Sequence, residues 1–359
     1  MPSNSSLSQV LIEWDRHVDR DMPWTKTKDP YAIWLSEIIL QQTRVETGRK
    51  YYLKLIELYP NVRSLAEADD DELMGAWKGL GYYNRARNLK FAAQTIMAEF
   101  GGHFPTAYDD ILSLKGIGPY TAAAIASFAY GLPYPVVDGN VFRVLSRYFG
   151  MSEPIDSGHA RTIYGAMAAQ IMDPIQAGEH NQAMMNFGAL ICKPRAPLCD
   201  TCPLQGGCAA FRNDQVLDLP IKIKKIKISI RHFYYLIVIR DDQVFLQKRT
   251  GQDVWRGLYE PILVEAKAGT SKQELSIQFS KRLGLLINPA DLSSSIQLKQ
   301  QLSHQLIHAH FYRLGTTVDL VDDSGGWKRL DELDAVGMPR VVDGYFKDLL
   351  TTGQQSLLF

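Results

Sequence analysis

Over residues 1 to about 212, apolar positions recur with a helical period in closely spaced segments. One segment opens at Asp29-Pro30, a cap residue followed by proline at the first helical position, and runs through YAIWLSEIILQQTR. DDELMGAWKGLG, RARNLKFAAQTIMAEFGG, TAYDDILSLKGIG, PYTAAAIASFAYG, GNVFRVLSRYFG and QAMMNFGALIC continue the series, several of them ending on a glycine suited to helix termination. Beyond residue 228 the texture changes. ISIRHFYYLIVIRDDQVFLQKR alternates and is rich in β-branched and aromatic residues, which predicts two strands joined by a turn at Asp241-Asp242. QELSIQFSKRLGL and RVVDGYFKDLL read as helices, and QLIHAHFYRL as a further strand. The pattern predicts a multi-domain chain: a mainly α domain over 1–212, a linker over 213–228, a smaller α/β domain over 229–350 and a flexible tail over 351–359. The linker, NDQVLDLPIKIKKIK with the residue that follows it, is polar, carries a proline and turns basic.

Composition adds limits. A chain of 359 residues favours two cores over one. Its 39 basic and 39 acidic residues cancel, so no bulk field points to a polyanionic partner. The local run IKIKKIKISIR, 221 to 231, is either a DNA contact or a solvated linker. No stretch approaches the roughly 18 apolar residues of a membrane span, and the first residues lack a signal-like pattern, so a cytoplasmic protein without a bilayer role is expected. In a reducing compartment clustered thiols favour metal ligation over disulfides. All four cysteines, Cys192, Cys199, Cys202 and Cys208, fall within CKPRAPLCDTCPLQGGC, spaced C-x6-C-x2-C-x5-C. Four thiolates suit tetrahedral zinc and a [4Fe-4S] cube alike.

Other positions carry candidate chemistry. Glu37 lies on a helix beside Ile33 and Leu40, so an apolar face should hold its carboxyl protonated, either as a general acid or as a buried partner of an arginine or backbone group. Asp138 precedes GNVFRVLSRYF and is either a plain N-cap or a carboxylate placed to stabilise a cationic sugar. In LKGIGPYTAAAIASF, Gly116 and Gly118 precede Pro119 at a helix start; they make a tight turn or a phosphate grip of helix-hairpin-helix type.

The cysteine spacing, placed directly after a helix, resembles the iron-sulfur loop of the endonuclease III superfamily of DNA glycosylases. MPW, DPYAIWLSEIILQQTRVET, GLGYYNRARNL, LKGIGPYTA and VVDGNVFRV follow the order and approximate spacing of the adenine DNA glycosylases of the MutY type, and the match covers nearly the whole chain. The resemblance implies a helix-hairpin-helix domain followed by a Nudix-like module. It also implies a [4Fe-4S] cluster on the four cysteines, whose loop brings Lys193 and Arg195 to DNA phosphates. The implied activity is base-excision repair by a monomeric, nucleoid-associated enzyme that hydrolyses the glycosidic bond of adenine opposite 8-oxoguanine or guanine in duplex DNA.

Carried over by residue, Glu37 would protonate the flipped adenine at N7, and Asp138 would stabilise the oxocarbenium-like sugar or trap it, with Tyr120 and Asn140 in support. Tyr120 stands where the lyase branch has a Schiff-base lysine, so a monofunctional hydrolase is implied. Trp24, Leu40 and Gln182 match pocket positions. Gln42, Thr43, Leu80 and Tyr82 match the group that fills the gap and touches the opposite base; ordinary packing is the plain alternative for all seven. Ser303 and His304 fit the loop that reads 8-oxoguanine, or form a turn without a ligand, while Leu302 replaces a frequent phenylalanine. SKQELSIQFSKRLGLLI offers only Glu274 toward a Nudix metal box, so pyrophosphatase activity is not expected. The terminal Gln355, Leu357, Leu358 and Phe359 resemble a sliding-clamp peptide; a frayed end is the alternative. The rival functions are an endonuclease III-like pyrimidine glycosylase with lyase activity and a catalytically silent lesion-binding protein.

Overall fold

The computed structural model describes residues 4–223, 227–315, 320 and 325–351. The clamp-like segment Gln355–Phe359 lies outside them. The described residues form two compact units, 1–67 with 87–224 and 68–86 with 225–359.

The first unit is helical. Its helices include Asn4–Asp15, Pro30–Leu40, Val45–Leu58, Tyr108–Ser113, Pro119–Tyr130, Gly139–Phe149, Ala160–Ile171 and Ala177–Leu190. Pro30–Leu40 starts as its sequence dictates: Asp29 accepts from the Tyr31 amide at 3.0 Å, and Pro30 stands at the first helical position. Pro119–Tyr130 and Gly139–Phe149 both end on left-handed glycines, Gly131 and Gly150. Asn4–Asp15 and Ala160–Ile171 were not singled out by the pattern. They supply Leu7, Leu11, Tyr164 and Ile171 to a core with Val144, Leu145 and Phe187. Small residues such as Ala160 and Ala168 dilute the apolar signal of the second of these, although they too are buried.

The second unit holds two small sheets. Strands β1 (Ser229–Ile237), β2 (Ile239–Arg240), β3 (Gln243–Lys248), β4 (Tyr259–Glu260), β5 (Ile262–Ala266), β6 (Leu292–Gln301), β7 (Gln305–Leu314) and β8 (Gly325–Arg329) follow in chain order. One sheet runs β5-β1-β7-β6, with β1 parallel to β7 and the other pairs antiparallel. The other runs β2-β3-β4, with β8 also pairing β3. Helix Lys272–Leu283 covers one face, where Leu275 and Phe279 join Tyr234, Leu236 and Phe245. On the opposite face, Phe311 stacks on Tyr345 of helix Arg340–Thr351 with ring centroids 4.2 Å apart.

Residues 68–86 group with this second unit rather than with the helices that flank them in sequence. Polar contacts explain the attachment. The Lys78 ammonium is nearly buried, 2.7 Å from Asp343 and 2.8 Å from the Leu333 carbonyl. Asp71 accepts from Lys248 and from the Tyr259 hydroxyl, and the Tyr83 hydroxyl donates to the Met338 carbonyl. A cut at residue 212 alone therefore does not separate the two units. Among the described residues, no helix is long and apolar enough to cross a membrane.

Candidate active site

Helix Pro30–Leu40 is enclosed on all sides: every residue from Tyr31 to Ile39 is buried, Glu37 among them at 6 % exposure. The single apolar stripe expected around Glu37 is thus a full apolar jacket. Burial pushes the Glu37 carboxyl up to about 7; a hydrogen bond from the Tyr120 hydroxyl opposes the rise and the nearby Asp138 adds to it. Tyr120 is half-buried, and desolvation of its hydroxyl with the neighbouring Glu37 holds that group well above the usual range, so it stays a donor.

Asp138 caps helix Gly139–Phe149. One carboxylate oxygen accepts from the Asn140 and Val141 amides, both at 2.8 Å, and the other from Asn140 Nδ2 at 2.8 Å. Burial raises its pKa while those three bonds oppose the rise. Capping and chemistry are therefore compatible uses of this one side chain. Asn140 is held in turn: its Oδ1 accepts from Arg143 Nη2 at 2.8 Å, and Arg143 also donates to the carbonyls of Gly188 at 2.7 Å and Cys192 at 2.6 Å. Helix Ala177–Leu190 crosses here so closely that a Cβ on Gly188 would lie 2.6 Å from that of Asn140.

Glu37, Tyr120, Asp138 and Asn140 line a single cavity of about 650 Å³. Trp24, Leu40, Gln42, Thr43 and Gln182 line it as well. At the hairpin, Gly116 has φ +84°, and a side chain there would meet Asn88 Cβ at 2.7 Å, so the turn requires glycine. Gly118 is the N-cap of helix Pro119–Tyr130, whose second residue is Tyr120.

The four cysteines form no disulfide and line one smaller cavity, and Arg147 Nη1 lies 3.4 Å from Cys192 Sγ. The Leu204 amide donates to the Cys202 sulfur, and the Phe211 and Ala210 amides to that of Cys208. Burial pushes the Cys202 thiol up to about 11, with the three other sulfurs adding to the shift. Among the described residues, no group of three or more His, Cys, Asp or Glu is placed to hold a metal ion. In the same loop Lys193 is half-buried and Arg195 exposed.

Two family descriptions match the chain: "HhH-GPD superfamily base excision DNA repair protein" over residues 35–163 and "NUDIX domain" over 234–348. The adenine DNA glycosylase of Buchnera aphidicola subsp. Baizongia pistaciae is 36% identical over 70% of this chain and 72% of its own length. That of Buchnera aphidicola subsp. Schizaphis graminum is 30% identical over 93% and 96%. The chain belongs to the adenine DNA glycosylase family. Among solved structures, a thermostable thymine-DNA glycosylase matches this glycosylase at TM-score 0.55 and 30% identity, over 58% of this chain and 97% of that one. An endonuclease III–DNA complex, at TM-score 0.50 and 23% identity over 60% of this chain and 99% of that one, shares the helical fold.

Arg20 and Asn186 are among the polar residues of the glycosylase's cavity that sequence reasoning missed. Arg20 lines it and donates to Asn186 Oδ1 at 2.6 Å; Gln182 Nε2 donates to the same oxygen at 3.1 Å, and Asn186 Nδ2 to Asp15 at 2.8 Å. Isolated polar residues have no periodic signature; the nearness of Arg20 to Trp24 was the one available hint. In the second unit, Leu80 is buried and Tyr82 exposed at φ +50°. The Tyr82 hydroxyl lies 2.7 Å from Ser303 Oγ. Ser303 and His304 form the exposed turn between β6 and β7, where the His304 carbonyl accepts from the Ser229 amide at 2.9 Å, and Leu302 is half-buried. Glu274 caps its own helix, accepting from the Ser271 amide at 2.9 Å.

Proposed function

We propose that this adenine DNA glycosylase hydrolyses the glycosidic bond of adenine paired with 8-oxoguanine or guanine in duplex DNA, by acid-assisted departure of the base. The observation that carries the mechanism is the shared cavity of Glu37 and Asp138. Glu37, neutral below about pH 7, protonates N7 of the extruded base, so the purine leaves as a neutral molecule. The positive charge that develops on the deoxyribose falls to the Asp138 carboxylate, which either stabilises the cation or joins C1′ until water replaces it. Asn140 fixes the Asp138 oxygens, and Tyr120 fixes one oxygen of Glu37. Trp24, Leu40 and Gln182 bound the space for the base. Gln42, Thr43, Leu80, Tyr82, Ser303 and His304 serve the opposite strand and its 8-oxoguanine, and Gly116 and Gly118 the backbone. Tyr120 offers no amine for a Schiff base, which supports a hydrolase without lyase activity.

The cysteine loop suits a [4Fe-4S] cluster held by Cys192, Cys199, Cys202 and Cys208. Four sulfurs on one cavity, with backbone N–H donors on two of them and Arg147 beside a third, favour bound thiolates over buried thiols. The cluster would supply a rigid tie for the loop, since hydrolysis moves no electrons.

The test is a labelled A:8-oxoguanine duplex incubated with the protein and resolved with and without hot alkali. Strand cleavage only after alkali is expected. Cleavage without alkali would overturn the hydrolase assignment in favour of a lyase, and no cleavage in either lane would leave a lesion-binding protein.

A further inference from the structure

Behind Asn140, on the side of Arg143 and Arg147, lies another cavity of about 410 Å³. Its lining includes Gly139, Asn140, Arg143, Arg147, Leu217 and Lys222, and no Asp or Glu. Both arginines are buried, at 8 % and 2 % exposure, yet their hydrogen-bond acceptors are carbonyl oxygens, one side-chain amide oxygen and one sulfur. A guanidinium has five N–H donors. Arg143 commits Nε to Cys192 O, Nη1 to Gly139 O, and Nη2 to Asn140 Oδ1 and Gly188 O, so one Nη1 hydrogen remains. Arg147 commits Nε to Leu219 O, Nη1 to Cys192 Sγ and Lys193 O, and Nη2 to Pro194 O, so one Nη2 hydrogen remains.

The two cations also repel each other, and the carboxylate that acts on Arg143 is Asp138, which bonds to it only through Asn140. Asp156, next to the linker, accepts from the Ile223 amide at 3.1 Å. Thiolates at the cysteine loop, that of Cys192 above all, would compensate both Arg143 and Arg147 from the side away from the cavity. Toward the cavity, two buried positive charges and the exposed Lys222 converge, and no carboxylate of the described residues lines it, so an anion there would offset a buried charge that is otherwise only partly compensated. Helix Gly139–Phe149 adds the positive end of its dipole at the same wall.

We propose that this cavity is a binding site for a phosphoryl group, whose oxygens take the remaining N–H of Arg143 and of Arg147 while Lys222 closes the mouth. A phosphodiester of the DNA backbone and free phosphate share that chemistry. The backbone source rests on the DNA reading above; the free anion does not. An occupant would sit across Asn140 from Asp138, so the pocket touches the catalytic wall without opening onto the scissile bond.

Inorganic phosphate is titrated against chloride at constant ionic strength while the melting temperature of the full chain is followed. A phosphate-specific rise is expected, lost in Lys222→Ala and in Leu217→Glu, which sets a carboxylate at the exposed rim. Absence of the rise, or its survival in both variants, overturns the site. The second arm measures Kd for an undamaged duplex against salt. A slope reduced by about 0.9 in Lys222→Ala assigns the cavity to a backbone phosphate; an unchanged slope with a lost melting shift assigns it to a free anion. Crystals soaked in tungstate should show anomalous density between Arg143, Arg147 and Lys222, and tungstate bound only elsewhere would overturn the location. Failure of the alkali assay above leaves the phosphate arm standing, so the two readings fail separately.

Discussion

The Tyr120 hydroxyl donates a hydrogen bond to the Glu37 carboxyl, and the two side chains, Glu37 buried and Tyr120 half-buried, share the wall of the cavity that Asp138 also lines. One donor therefore tunes an acid whose pKa is raised by burial and raised further by a second carboxylate.

The single-turnover rate should be bell-shaped in pH. It falls on the alkaline side as Glu37 loses its proton near pH 7, and on the acid side as Asp138 takes one up. Glu37→Gln should cost on the order of 10²–10⁴ in rate and abolish the alkaline limb. Tyr120→Phe removes a bond that lowers the Glu37 pKa, so the alkaline limb should move to higher pH. A limb that stays in place in Tyr120→Phe contradicts the coupling.

Stability should respond to the same carboxyl. Its folded pKa of about 7 lies above the ordinary 4.5, so between these values the native state holds a proton that the unfolded chain has released. The protein therefore loses stability as pH rises through that window, and the loss levels off above pH 7. Glu37→Gln has no such loss and should exceed the wild type at pH 8 by about 3 kcal/mol. Urea melts at pH 5 and pH 8 measure this.

Gly188→Ala would place a methyl carbon 2.6 Å from Asn140 Cβ and 3.0 Å from its backbone. The two helices must part, and Asp138 moves with Asn140. We expect a destabilisation of about 1–3 kcal/mol and a rate loss larger than the lowered fraction folded explains. Thermal melts paired with single-turnover assays separate the two effects.

Cys202→Ala should lose the brown colour and visible absorption expected of the loaded protein and melt at a lower temperature. Colour retained at full intensity would contradict a four-cysteine site.

Tyr82→Phe breaks the 2.7 Å bond to Ser303 and should narrow the preference for 8-oxoguanine over guanine opposite adenine. Ser303→Ala should act alike, and the double variant should be no worse than either single one. Additive losses would mean that the two hydroxyls work apart.

Local rules made much of the site legible. Asp29-Pro30 announced the helix that carries Glu37, and Asp138 before a helical run announced a cap. The strands of QLIHAHFYRL and ISIRHFYYLIVIR were legible because apolar and aromatic residues fill them. Strand β6, LSSSIQLKQQ, was not, since it is mostly polar and owes its pairing to β7 and a register shift between Ser294 and Gln297. The attachment of residues 68–86 to the second unit was equally hidden. It rests on contacts such as Lys78 with Asp343, between residues far apart in sequence. The environment of Glu37 was underestimated for a similar reason: a periodic stripe reports one face, and here every face is covered.

That complete enclosure of helix Pro30–Leu40 has an evolutionary corollary. No residue from 31 to 39 is at liberty to drift as a surface position does, because each replacement in this stretch is an interior replacement. Lineages adjusting the acidity of the proton donor must do so from neighbouring helices, through groups such as Tyr120, and an alteration beside Glu37 itself would register first as a poorly accumulating protein rather than as altered chemistry.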